Sequence, residues 1–324
     1  MRALQLVVAF GTLAVDACGG GGSGSGAQPG AAAPAPTAGP VAAAAPLVLR
    51  LVRVRGTDLA FADRGGGVPV VLVHGTLESA GSWRPQIDSF ANHFRVIAYS
   101  RRYHAPNAAR RDGQVYGVAL HADDLIALIE ALGLERVHLV GSGYGAAVAL
   151  VVTLRRPDLV RSLVLEEPPL FPWLARTPDG DSLRRAFETG VLQPARQAFA
   201  RGDSVEAVRR FVDGESGRPG RFDGLPQAQQ AALLRLAFAL RLELGADPAV
   251  YMPALACPAV GAVRNPVLIV TGARSPRRFH LITEELARCL PAKELLDVPG
   301  AGHSAHADNP AFYNATVVQF LLRN

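Results

Sequence analysis

Three glycine-rich loops hold most of the groups that could do chemistry: His74-Gly75-Thr76, Gly141-Ser142-Gly143-Tyr144-Gly145 and Gly300-Ala301-Gly302-His303. His303 is an imidazole on a backbone free enough to swing toward another segment, which suits a general base near neutral pH. Ser142 offers a hydroxyl, and Glu166 and Glu167 offer two adjacent carboxylates ahead of Pro168. Amides at the start of a helix following the second loop would favour a developing anion. Cys18, Cys257 and Cys289 lie far apart, with no CxxC or Cys/His spacing, so neither a zinc site nor dithiol redox chemistry is expected. Nothing in the pattern calls for a metal or another cofactor.

These loops need strands and helices to bring them together, and the apolar periodicity supplies both. Residues 49–54 and 59–62 predict an opening pair of strands, and 68–73 (VPVVLV) is a continuous apolar run that suits a buried parallel strand. Further strands are predicted at 94–99, 137–140, 163–165, 267–270 and 295–298. Between them lie an amphipathic helix at 118–132, stopped by Gly133, and a helix at 146–154; a helix at 310–322 ends the chain. Such alternation predicts an α/β fold, an open and mostly parallel sheet with helices on both faces and its ligands at the carboxyl ends of the strands. It breaks between Pro168 and Arg264, where 182–211 and 227–244 read as helical and no buried strand occurs. The expected division is therefore a core of residues 47–167 and 264–324 with a helical cap at 168–263.

The HG turn, an elbow in the register LVGxSxGG, the order of elements, the helical insertion and the late GAGH histidine together make residues 49–324 resemble the α/β-hydrolase superfamily. In detail the chain is most similar to epoxide hydrolases, haloalkane dehalogenases and small esterases. The resemblance implies an eight-stranded sheet and a hydrolytic site acting on a small-molecule substrate. An elbow needs small residues two positions before and after its strained centre, and Gly141 and Gly145 meet that demand. The centre is Gly143. Where the family has its nucleophile, this chain has no side chain, so covalent catalysis is not expected. Ser142 stands one position early and would be flanked by Val140 and Tyr144, which are not small.

By the same resemblance the oxyanion donors are the amides of Thr76 and Tyr144, His74 positions the first loop beside the substrate, and His303 is the general base. The loop Thr271 to Pro276, where the family's acid usually stands, has no carboxylate. The family's second solution, an acid ending the sixth strand, selects Glu167 from the stretch VRSLVLEEPP. His306 is expected at the edge of the site. Arg102 and His104 follow the fourth strand, where they either touch an anionic substrate or belong to a salt-bridge network. Phe171, Trp173, Leu233, Leu236 and Phe238 are expected to roof an apolar pocket. Asp123, Asp124 and Asp308 read as helix N-terminal residues that complement the dipole. Three readings remain open: a hydrolase of a small apolar ester, lactone, amide or epoxide with His303 activating water, an inactive hydrolase fold that binds a small molecule or protein partner, or a hydrolase that uses Ser142 as its nucleophile after local rearrangement of the elbow.

Hydrophobic residues are 49% and charged residues 19% of the 324, which supports a packed core over most of the length. The net charge is +5, yet every basic residue except Lys293 is Arg, spread along the chain, and aromatics are 6%. Basic stripes interleaved with stacking rings are missing, so nucleic acid is not an expected partner. At the N-terminus an apolar stretch, Ala3 to Val15, is too short to span a membrane and ends at Cys18-Gly19, resembling a bacterial lipoprotein signal over residues 1–18. Residues 19–46 carry no charge and read as a flexible Gly/Ala/Pro tether. The expected setting is bacterial and exported, with the membrane reached only through a lipid on Cys18; the oligomeric state is not legible. Export leaves Cys257 and Cys289 free to oxidise, although their spacing does not bring them together. Cys18→Ser is expected to move the protein from the membrane fraction to the soluble fraction. Identical fractionation of variant and parent would rule the anchor out.

Overall fold

The computed structural model describes residues 47–252 and 255–324. The expected signal at 1–18, the lipid site at Cys18 and the tether at 19–46 lie outside the described residues. Eight strands form one sheet: β1 (Arg50–Val54), β2 (Thr57–Arg64), β3 (Pro69–Val73), β4 (Arg95–Tyr99), β5 (Val137–Ser142), β6 (Val160–Glu166), β7 (Val267–Gly272) and β8 (Lys293–Val298). Their order is β1-β2-β4-β3-β5-β6-β7-β8. β2 runs antiparallel to β1 and β4, and every later pairing is parallel.

β3 and β5 are buried along nearly their whole length because helices cover both faces of the sheet centre. Strand alternation divides their side chains. Val70, Leu72 and Val140 pack with α1 (Arg84–Phe90) and the C-terminal helix, while Val71, Val73 and Leu139 pack with α2 (Val118–Ala131) and α3 (Tyr144–Arg155).

Between β6 and β7 come α4 (Gly180–Phe187), α5 (Gln193–Ala200), α6 (Ser204–Ser216), α7 (Gln227–Leu234), α8 (Ala237–Leu244) and two single turns, α9 (Pro248–Tyr251) and α10 (Cys257–Val260). Phe199, Val208, Phe211, Phe222 and Leu240 give these helices a core of their own. The sequence predicts two long helices here, and the structure breaks both. The first stops at Ala200 because the Asp203 carboxylate accepts from the Glu206 amide at 2.9 Å and caps a new helix, α6. The second divides after Leu234, where Leu236 turns into the helical core. The chain then closes with α11 (Arg277–Cys289), α12 (Ala305–Asp308) and α13 (Pro310–Arg323). Cys257 and Cys289 form a disulfide joining α10 to the end of α11. Among the described residues no helix is long and apolar enough to cross a membrane.

The loops singled out from the sequence leave the carboxyl ends of β3, β5, β6, β7 and β8, so the parallel register collects them at one edge. Two points of that edge are equally tight, Gly272 at the end of β7 and Gly145 in the first turn of α3. A Cβ on Gly145 would lie 2.0 Å from the Val73 carbonyl oxygen and 2.5 Å from that of His74. Gly145→Ala is therefore expected to cost about 3 kcal/mol or more, since backbone on both sides would have to part. Gly66→Ala, with open space around the added methyl, serves as its near-neutral control. Equal melting temperatures for the two variants would contradict this packing.

Candidate active site

The chain turns from β5 into α3 through Gly143, whose φ of 50° and ψ of −122° are costly for any residue with a side chain. Its amide donates to the Glu166 carbonyl at 2.8 Å, which fastens the turn to the end of β6. A Cβ added to Gly143 would meet only ordinary contacts, 3.5 Å from His303 Nε2 and 3.8 Å from the Gly75 Cα. The imidazole thus faces the elbow across a space the size of a small side chain.

His303 Nδ1 donates to Glu167 Oε2 at 2.6 Å, which leaves Nε2 facing Gly143. The carboxylate is fully buried and also accepts from the Gly272 amide at 2.8 Å and from Ser275 Oγ at 2.6 Å. The loop without a carboxylate therefore supplies donors that hold the carboxylate of its neighbour strand. Phe279 stacks on the imidazole with ring centroids 3.9 Å apart. Burial disfavours the charged imidazole, but the hydrogen bond it donates to Glu167 and the charges of Glu215 and Glu167 outweigh it and raise the pKa of His303 above its ordinary value.

Alternation at the end of β6 sends Glu166 the other way. It accepts from His306 Nδ1 at 3.0 Å beneath Trp83, and despite burial this pairing raises the His306 pKa to about 9. His306 is thus a buried partner of Glu166 and not an exposed residue at the rim.

The loop after β3 is held from below by Arg101, a fully buried cation. Its Nε donates to the His74 carbonyl at 3.0 Å and its Nη2 to the Gly75 carbonyl at 2.9 Å. Because a trans peptide sets C=O and N–H in opposite directions, fixing the Gly75 carbonyl on Arg101 turns the Thr76 amide away from it. His74 Nε2 accepts from the Arg101 amide at 2.8 Å, so His74 braces the loop and is walled off from substrate. Burial, aided by Arg101, holds its pKa well below the usual range and the ring neutral. From the cap, Glu243 on α8 accepts from Thr76 Oγ1 at 2.7 Å, Tyr116 at 3.0 Å and Tyr251 at 3.0 Å.

A cavity of about 390 Å³ lies between the sheet edge and the cap helices. Thr76, Gly143, Tyr144 and His303 form its floor, with Phe171, Phe187, Leu192, Phe211 and Met252 as apolar walls. A wider groove of about 1270 Å³ meets it at Thr76, Glu215 and His303. Among the described residues no cluster of three or more His, Cys, Asp or Glu side chains is arranged to hold a metal ion.

Several residues expected at the pocket stand elsewhere. Arg102 is spent on Asp124, at 2.7 Å through both Nε and Nη2, and on Asp112 at 2.6 Å, and reaches neither cavity. Asp124 is accordingly a salt-bridge partner past the first turn of α2 and not a dipole complement. Asp308 ends α12 and accepts from the Gly302 amide at 2.8 Å, bracing the His303 loop. Trp173 is 2% exposed and donates to the Leu255 carbonyl at 2.7 Å, beneath the cavity wall. Leu233 and Leu236 line the groove instead of the cavity, and Phe238 packs on Tyr103. Ser142 is the last residue of β5, paired with Glu166 and 3% exposed, and it lines neither cavity. Arg101, Glu215 and Glu243 were not singled out by the sequence. The one available signal was Glu243 itself, a lone carboxylate in the otherwise apolar face of ALRLEL.

Known proteins share this fold. A 2-(acetamidomethylene)succinate hydrolase from Mesorhizobium japonicum is 26% identical over 286 residues, covering 86% of this chain and 97% of that protein. Among solved structures, an N-acyl homoserine lactone degrading enzyme superposes with a TM-score of 0.66 at 21% identity, over 84% of this chain and all of the other. A carboxylesterase from Bacillus subtilis does so with a TM-score of 0.66 at 19% identity, over 86% of this chain and 92% of the other. The family model for the alpha/beta hydrolase fold matches residues 68–310, a span that runs from β3 through the elbow and the cap to the His303 loop. The chain therefore belongs to the α/β-hydrolase family.

Proposed function

We propose that the protein hydrolyses a small, largely apolar ester, lactone, amide or epoxide, without a covalent intermediate. The observation that carries this reading is the space over Gly143, faced by the Nε2 of an imidazole whose Nδ1 is bound to a buried carboxylate. For a carbonyl substrate, water in that space gives its proton to Nε2 as its oxygen bonds the carbonyl carbon. The amides of Thr76 and Tyr144 receive the negative oxygen. Tyr144 opens α3, where an N–H has no acceptor within its own helix and the helix dipole favours an anion. Glu167 keeps Nδ1 protonated and stabilises the imidazolium that forms. The apolar walls suit an acyl chain, and the hydrolase names borne by relatives favour a small-molecule substrate. A second reading, a hydrolase fold retained for binding a small molecule or partner without turnover, is favoured by the missing nucleophile alone.

Gly143→Ser is expected to lower the melting temperature, since the φ of 50° costs a side chain roughly 1–3 kcal/mol, while raising hydrolysis of a short p-nitrophenyl ester. Without a nucleophile the parent should retain at least the acceleration over water, about 10³–10⁴-fold, that an oxyanion hole and binding alone supply, and His303→Ala should remove whatever water activation adds to it. A folded Gly143→Ser protein that stays inert and takes no fluorophosphonate label would transfer the assignment to the binding reading. Glu167→Gln removes the hydrogen-bonded charge that raises the His303 pKa, so the imidazole should titrate at lower pH by NMR. An unchanged titration would separate Glu167 from the base.

A further inference from the structure

The groove and the cavity share one carboxylate, Glu215, near the end of cap helix α6. Its Oε1 lies 3.6 Å from His303 Nε2, the nitrogen that faces the elbow. The position is anchored: Arg278 on α11 donates through Nη2 to the backbone carbonyls of Gly214 at 2.9 Å and Glu215 at 2.5 Å. Arg278 also sits 4.7 Å from the ring of Phe279, which stacks on His303. The base and the cap carboxylate are therefore held by neighbouring residues of one helix.

Resting on the hydrolase reading above, we propose that Glu215 is a second catalytic residue, the acid that protonates the leaving group of an ester. The need for one follows from the geometry. Once Nε2 has taken the proton of water, its N–H points at the new hydroxyl over Gly143, whereas a leaving group expelled toward the wide groove passes Glu215. In the competent state His303 is neutral and Glu215 carries a proton. Water's oxygen bonds the carbonyl carbon and its proton goes to Nε2. The carbon–oxygen bond to the leaving group then breaks, its electron pair going to the leaving oxygen, which takes the proton of Glu215. Acid and alcohol depart, leaving imidazolium beside carboxylate, and the proton crosses the 3.6 Å contact from Nε2 to Glu215 to restore the starting state.

The electrostatics agree with that duty. Burial lifts the Glu215 carboxyl to about 7; His303 and Arg278 oppose the rise, while Glu243 on α8 and Glu78 in the loop after β3 add to it. A group near neutrality can both give and regain a proton.

The test compares two esters of one short fatty acid, a p-nitrophenyl ester whose leaving group needs no proton and an ethyl ester whose leaving group does. Glu215→Gln should lower the ethyl-to-aryl rate ratio by roughly 10²-fold, and the fall in ethyl ester hydrolysis above about pH 7 should vanish. Equal losses on both esters, with the basic limb retained, would overturn the assignment to Glu215 alone. A parent inert on both esters would overturn the hydrolase reading and this proposal with it. Glu215→Asp keeps a carboxyl one methylene farther off and should give an intermediate ratio. Should Glu215→Gln fail to fold, an Asp variant with the parent's ratio and pH limb overturns the proposal.

Discussion

The close approach of α3 to the end of β3 sets the rest of the site. At Gly145 the helix comes so near the Val73 and His74 carbonyls that no side chain fits between, and at Gly141 a Cβ would lie 2.6 Å from the Ala146 Cα. Two glycines thus let strand, turn and helix cross at backbone contact, and that crossing forces Gly143 into its left-handed conformation. It also sets the Tyr144 amide beside the loop that carries Thr76, and opens the elbow toward His303. A looser crossing would separate the amides from the imidazole, and distances at a site of this kind matter at the scale of about 1 Å.

A buried charge network holds the other half of the site. Arg101 beneath the loop and Glu243 above it are both taken out of water, which is tolerable only because nearly every polar atom finds a partner. Burial pushes the Glu243 pKa up, while Arg101 and the hydroxyls of Thr76, Tyr251 and Tyr116 pull the other way. The physical consequence is a tie between core and cap: the hydroxyl of Thr76, whose amide is the proposed anion donor, is held by a cap carboxylate. Movement of the cap and the geometry of the loop after β3 are therefore coupled through one side chain.

Two adjacent glutamates illustrate how secondary structure sorts similar residues into different duties. At the end of β6, Glu166 and Glu167 point to opposite sides, one toward His306 below the loop and one toward His303 in the cavity. The positive φ of Glu167, 42°, lies where the strand has ended and its carboxylate is gathered in by Gly272 and Ser275. Each imidazole then has its own buried carboxylate, but only the His303 pair opens to the cavity.

The alternation of strands and helices in the core was legible in the sequence, whereas the elbow at Gly141, Gly143 and Gly145 and the expectation of Glu167 came from the resemblance to the α/β-hydrolase superfamily. The alternation of elements depends on a local rule, apolar periodicity, and the small residues at the elbow on the size limit at a backbone crossing. Residues recruited across long separations were not legible. Glu215 and Glu243 come from a cap whose helices break where capping and burial dictate, and nothing in their spacing marks them as neighbours of His303 or Thr76. The same holds for the Cys257–Cys289 disulfide, for the diversion of Arg102 to Asp124, and for Trp173 sinking beneath the wall it was expected to form. Local geometry is written in neighbouring residues, whereas the cap's contribution depends on how two separately packed cores meet, and only the tertiary structure decides that.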